Sequence, residues 1–252
     1  MSEEHLQDWF FEWFNSPYYH LLYGNRSDEE AASFVQQLMR HIHQEYFEAQ
    51  ALSELSVLDL ACGKGRHARA MYELGMNVMG VDLAEDSIKE AKEMSSPSIA
   101  FEVADMRSFS LARNFNIVTN LFTSFGYFDD ESENQRVIAQ VKKHLTGNGI
   151  FVIDFLNLDY VRATLVEQEV KEVGGVSFHI RRRIHGGHIL KDIEFSDKGK
   201  DYHYQERVQA IDAEQMRGLL EGEGFEIQAV YGSYALEEHS ADSNRLIMIA
   251  RK

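Results

Sequence analysis

The stretch from Ser56 to Asp82, SVLDLACGKGRHARAMYELGMNVMGVD, reads as strand, glycine turn, helix and a second strand with an acid at its tip. Ser56-Val57-Leu58-Asp59-Leu60 is a short β-favouring run, and Gly63-Lys64-Gly65 is a turn whose glycines take φ above zero and let a ligand approach the backbone. The following helix is expected to bury Ala68, Met71, Tyr72 and Leu74, with Gly75 ending it. Val78-Met79-Gly80-Val81 is the next buried strand, closing on Asp82. The whole is one βαβ unit carrying a ligand-binding turn.

Two ligand classes use such a unit. A dinucleotide site requires G-x-G-x-x-G/A followed by an acid about 20 residues on, and Gly63-Lys64-Gly65-Arg66-His67-Ala68 with Asp82 meets that literally. Asp59, placed before the glycines, separates the alternatives. Its carboxylate would repel a pyrophosphate at the helix N-terminus, whereas it would hold a ligand that carries an ammonium group there, as S-adenosylmethionine does.

The segment DLACGKGRHA resembles the first motif of class I S-adenosylmethionine-dependent methyltransferases, with Ala61 where many members have glycine. The resemblance continues through Val81-Asp82-Leu83, Ala104-Asp105-Met106-Arg107, Asn120-Leu121-Phe122-Thr123-Ser124-Phe125-Gly126-Tyr127 and Gly149-Ile150-Phe151-Val152-Ile153-Asp154. It implies an α/β fold: a Rossmann-like seven-stranded methyltransferase sheet with its last strand antiparallel, carrying an inserted small antiparallel β-subdomain. It implies S-adenosyl-L-methionine as cofactor and S-adenosyl-L-homocysteine as product. Carried over residue by residue, Asp59, Ala61, Gly63 and Gly65 hold the methionine portion and Asp82 accepts from the ribose hydroxyls. Leu83 and Met106 flank adenine, Asp105 orients it, and Leu121 joins the same set.

The resemblance divides the chain into an N-terminal helical and aromatic segment (1–50), a cofactor-binding core (51–160), an antiparallel insertion (161–211) and a C-terminal completion of the sheet (212–252). Residues 5–24 are dense in aromatics; Phe10, Trp13 and Phe14 have helical spacing, and Pro17 interrupts the helix. Two readings stand: a helix packed on the domain, or a lid whose ring faces attract a sulfonium. Tyr19 and Arg26 are the candidates implied to reach the methionine end. Ser27 with Glu30, and Asp130 with Glu133, look like capping boxes, and His41 and His43 are expected to face solvent. Gly147-Asn148-Gly149 should turn the chain into the fifth strand. Gly174-Gly175, Gly186-Gly187 and Asp197-Lys198-Gly199 are hairpin signals that mark the insertion, which related enzymes use as a substrate cover and sometimes as a homodimer surface.

Composition narrows the partners. The 252 residues are 44% hydrophobic with a net charge of −16, a field that works against nucleic acid. Arg181-Arg182-Arg183 does not amend this, because consecutive strand residues face opposite ways. No apolar run reaches the length of a membrane span, and the acidic, aromatic N-terminus and the single Cys62 fit a cytoplasmic protein without disulfides. His179, His185, His188 and His203 lack metal-ligand context, so no metal is expected. The expected partner is a small-molecule methyl acceptor carrying a nitrogen or oxygen nucleophile. Tyr127, Asp154, Asn157 and His203 are the candidates beside it. A dinucleotide-dependent oxidoreductase and a catalytically silent S-adenosylmethionine-binding protein are the alternatives.

Overall fold

The computed structural model describes residues 9–24, 28–128 and 130–252; Arg26 and Ser27 lie outside the described residues. Two short helices come first, α1 (Trp9–Phe14) and α2 (Pro17–Tyr23). Pro17 separates them and opens α2, a position where its missing N–H breaks no helical bond. After α3 (Asp28–Tyr46), strands and helices alternate: β1 (Ser56–Leu60), α4 (Arg66–Glu73), β2 (Asn77–Asp82), α5 (Glu85–Met94), β3 (Ala100–Val103), β4 (Phe115–Asn120), α6 (Glu131–His144) and β5 (Leu145–Leu156). Then come α7 (Leu158–Thr164) and four strands, β6 (Gln168–Val173), β7 (Val176–His185), β8 (His188–Asp197) and β9 (Lys200–Gln209). The chain closes with α8 (Ala213–Gly222), β10 (Glu226–Tyr231) and β11 (Arg245–Arg251).

The strand order of the large sheet is β3-β2-β1-β4-β5-β11-β10, with β11 antiparallel to both neighbours. A dinucleotide-binding sheet runs 3-2-1-4-5-6, so the strand lodged between β5 and β10 removes the fold basis of the oxidoreductase reading. Residues Ile150 to Phe155 of β5 are all buried, as both faces of a central strand must be. Helices α3, α4 and α5 cover one face, and α6 and α8 the other. Each fully buried Val, Leu or Ile there contributes about 1.5–3 kcal/mol.

A third core lies between the N-terminus and the insertion. Trp13 and Leu22 pack with Val176, Phe178, Ile180, Ile193 and Phe195 on the four-stranded sheet β6-β7-β8-β9. Trp13 is fully buried with its ring 4.5 Å from that of Tyr204, and Tyr18 Oη donates to Asp197 at 2.7 Å. The aromatic helices therefore pack on the insertion, while α3 packs in the main core and does not continue them.

Local departures from the sequence reading have physical causes. Gly147-Asn148-Gly149 lies inside β5 as an irregularity, where pairing jumps from Phe115–Leu145 to Ile117–Ile150. Asp130 caps α6 through Ser132 N–H, but Glu133 closes no box because Arg107 takes its carboxylate at 2.6 Å. His41 and His43 are partnered: His41 Nε2 lies 2.8 Å from Tyr231 Oη, and His43 Nε2 2.8 Å from the Gln50 carbonyl. Tyr72, in the last turn of α4, and Leu74, its C-cap residue, are only partly buried, since this end of the helix lies at the rim of the core. No described helix is long and apolar enough to cross a membrane.

Candidate active site

A cavity of about 1290 Å³ opens at the carboxyl ends of β1 and β4, where the strand order reverses. Residues that follow the ends of β1, β2, β3 and β4 form its floor: Ala61 to Lys64, Asp82 to Ala84, Ala104 to Met106, and Leu121 to Ser124. Phe14, Tyr19 and Tyr23 overhang it from the N-terminal helices, and β7, β8 and β9 supply the far wall. Eight residues singled out from sequence for the cofactor line this one space: Tyr19, Ala61, Gly63, Asp82, Leu83, Asp105, Met106 and Leu121.

The turn explains its own residue choices. Ala61, Gly63 and Gly65 all take left-handed φ, at 60°, 53° and 74°. A residue with a side chain pays about 1–2 kcal/mol there, so Ala61 in place of glycine is strained. A Cβ on Gly63 would meet nothing within 4 Å, so this glycine leaves open space on the cavity side. A Cβ on Gly65 would lie 2.7 Å from the Phe101 ring, which makes Gly65 a packing glycine rather than part of the lining.

Three acids surround this turn in different states. Asp59 lies beneath it and outside the lining: Oδ1 accepts from Thr119 Oγ1 at 3.1 Å, while Oδ2 is buried without a hydrogen-bond partner. Burial pushes its carboxyl up to about 7, against the lowering effect of Thr119. Asp82 holds the tip of β2 to the turn, Oδ2 accepting from Gly63 N–H at 2.7 Å and Oδ1 from Ala84 N–H at 2.9 Å. Burial raises its pKa too, opposed by those backbone donors. For Asp105, burial acts upward but the Arg107 fork outweighs it, so the carboxyl is held below its ordinary range.

The loop after β4 is strained where it faces the cavity. Phe122 and Thr123 have φ of 63° and 60°, in a region that costs about 1–3 kcal/mol per residue with a side chain. Asp154, fully buried, holds them there. Its Oδ2 accepts from Phe122 N–H at 2.8 Å and from Tyr234 Oη at 3.1 Å, and its carbonyl accepts from Thr123 N–H at 2.9 Å. Arg245 bonds Asp154 Oδ1 through Nε at 2.7 Å and Thr123 Oγ1 through Nη2 at 3.0 Å, and itself lines the cavity.

Of the four acceptor-side candidates, only Tyr127 reaches the lining, its Oη donating to the Thr123 carbonyl at 2.5 Å. Asp154 is a clamp rather than a base, because Arg245 and the loop occupy its oxygens. Asn157 caps α7 and donates to the carbonyls of Ser240 and Ser243, so its amide is spent on the closing loop. His203 is displaced to the other side of the insertion, 59% exposed and 3.7 Å from Asp192. Among the described residues no group of three or more His, Cys, Asp or Glu could hold a metal ion. Arg182, Lys191, Glu206 and Arg245 were missed from sequence as lining residues; the strict alternation in β7 was the available signal for Arg182, since Arg181 and Arg183 face away.

The chemistry of these groups fits S-adenosylmethionine. An orphaned buried carboxylate oxygen under the turn suits an ammonium, the open side of Gly63 admits the ligand against the backbone, and Asp82 and Asp105 stand at successive strand ends as acceptors. Fold and site thus define a Rossmann-like protein whose last strand is inserted antiparallel between β5 and β10 and whose nucleoside edge is acidic. The chain belongs to the methyltransferase domain family, whose profile matches residues 51–209, and is a class I S-adenosylmethionine-dependent methyltransferase. Over 165 residues it is 28% identical to a dTDP-3-amino-3,4,6-trideoxy-α-D-glucopyranose N,N-dimethyltransferase of Streptomyces venezuelae, covering 62% of this chain and 68% of that protein. A dTDP-3-amino-3,6-dideoxy-α-D-glucopyranose N,N-dimethyltransferase of Streptomyces fradiae is 32% identical over 99 residues, 39% of this chain and 38% of that one. The fold is shared with an S-adenosylmethionine-dependent methyltransferase from Clostridium acetobutylicum at a TM-score of 0.75, with 16% identity over 93% of this chain and 95% of the other.

Proposed function

We propose that this enzyme transfers the methyl group of S-adenosylmethionine to a nitrogen or oxygen of a small molecule. The carrying observation is that a single cavity joins the acidic nucleoside edge to a space roofed by the insertion and the N-terminal helices. The dTDP-amino-sugar dimethyltransferases to which the chain is similar support nitrogen as the acceptor atom. In this reading Asp59 and the turn hold the methionine portion, Asp82 the ribose and Asp105 the adenine, with Leu83 and Met106 on its faces. Bound cofactor supplies an activated methyl on a good leaving group. The chain's task is alignment, which can contribute about 7–11 kcal/mol, and exclusion of water. The Phe122-Thr123 turn and Tyr127 shape the acceptor side.

Calorimetric titration with S-adenosylmethionine, S-adenosylhomocysteine and NAD in parallel tests the cofactor reading, and a screen of amines and alcohols with radiolabelled donor tests turnover. Binding of the two sulfur nucleotides alone, with turnover, is expected. Saturable binding with no turnover on any acceptor would favour the silent binding protein.

The state of Asp59 gives a pH dependence. Its folded pKa, about 7, lies above the ordinary 3.8, so the folded chain binds this proton more tightly than the unfolded one. The stability it contributes is therefore present at low pH and lost as pH rises through that window. An ammonium beside Asp59 favours the ionised form, so S-adenosylhomocysteine should bind more tightly as pH rises from about 5.5 to about 8. Asp82 titrates in the same sense; the comparison with Asp59→Asn isolates Asp59, and that variant should show the shallower profile. Superimposable profiles would place the ammonium elsewhere.

A further inference from the structure

The far wall of the cavity carries a charged row where an apolar one would pack better. Register across the insertion sets Arg182 directly opposite Lys191, and Lys191 directly opposite Glu206. The rows on either side, Ile180–Ile193–Tyr204 and Ile184–Ile189–Val208, are apolar or aromatic on the same face. Two cations directly opposite on adjacent strands repel one another, and charges on a covered face are desolvated at a cost. Each cation is ion-paired, Arg182 with Glu169 at 2.6 Å and Lys191 with Glu206 at 3.4 Å, and all four side chains line the cavity.

The cations are held in place by carboxylates that share the cavity lining. Glu206 is fastened by Trp13 Nε1 at 2.8 Å and Tyr23 Oη at 2.5 Å, and it holds Lys191 at 3.4 Å. Arg182 gives one Nη2 bond to Glu169 at 2.6 Å and one Nη1 bond to the Val166 carbonyl at 3.3 Å. Two of its five N–H groups are thereby used, and the rest of the fork is available in the lining. A planar fork with unused donors beside a second cation matches a carboxylate or a phosphate.

We infer that the methyl acceptor bears an anionic group, a carboxylate or a phosphate, which Arg182 receives with Lys191 beside it. The inference rests on the methyltransferase reading and adds to it the class of acceptor. It also gives the N-terminal helices a role in specificity, because Trp13 and Tyr23 set Glu206 and thereby Lys191.

The test is titration of the S-adenosylhomocysteine-loaded protein with inorganic phosphate, pyrophosphate and malonate at constant ionic strength. Saturable binding of the phosphates or of malonate is expected, and which of them binds assigns the anion. Arg182→Gln should weaken that binding at least 10-fold and Arg182→Lys less, while affinity for S-adenosylhomocysteine changes less than about twofold. Arg181→Gln, on the opposite face and paired with Glu194, should change nothing. Failure of every probe to saturate the loaded protein, or equal binding by Arg182→Gln, overturns the inference. Failure of S-adenosylhomocysteine itself to bind would instead overturn the methyltransferase reading beneath it.

Discussion

Asp82→Ala is expected to lower affinity for S-adenosylhomocysteine by about 10- to 100-fold, the effect of losing a charged acceptor worth about 1.5–3 kcal/mol. The structure adds a second consequence. Asp82 also accepts from the N–H groups of Gly63 and Ala84, so the alanine leaves two donors at the turn without their partner and loosens the loop that the cofactor must meet. Asp82→Asn separates the two effects. Its amide oxygen can still accept from Gly63 N–H, so thermal stability should recover toward the native value while affinity for the nucleoside stays low. Unchanged affinity in both variants, measured by calorimetry, would place the ribose away from the tip of β2.

The difference between these two roles shows what the sequence could and could not disclose. That Asp82 ends a buried strand is written in the apolar run before it, and local periodicity likewise discloses β1, α4 and β5. That its carboxylate doubles as the anchor of the Gly63 turn depends on an approach across 19 residues of chain, which no local pattern encodes. Gly63 and Gly65 look equivalent in sequence, yet one opens to the cavity and the other makes room for Phe101, a distinction set by a strand some 36 residues on. The same limit hid the acceptor wall. Arg182 was legible as facing away from its two arginine neighbours, but which face meets the cavity is fixed by the packing of α1 and α2 on the face of β7 and β8 that also carries Arg182. His203 failed as a candidate for the converse reason: chemistry made it plausible, and strand alternation turned it outward from β9.

Asp154→Ala should be the most destabilising single change near the site. Its carboxylate is fully buried and Arg245 is 15% exposed, so truncation leaves an arginine charge with its counter-ion gone. Breaking a buried pair from one side costs about 3–5 kcal/mol. In a chain of 252 residues that corresponds to a fall in Tm of roughly 6–20 °C. The loss cannot be repaired by charge alone, because the Asp154 carboxylate also restrains Phe122 in its left-handed conformation by accepting from its N–H, while only the main-chain bond to Thr123 survives substitution. An Asp154→Leu/Arg245→Met double variant removes both charges and should regain much of the stability, since replacing a buried pair by apolar groups is often neutral or better. It should nevertheless remain slow in methyl transfer. With neither Asp154 Oδ2 nor the Arg245 bond to Thr123, the loop is free to relax toward ordinary φ values and shift the wall beside the acceptor. Stability regained with turnover still depressed, and with cofactor affinity near native, is the pattern that assigns the ion pair to shaping the acceptor side. Recovery of both together would reduce it to a structural clamp without influence on the reaction.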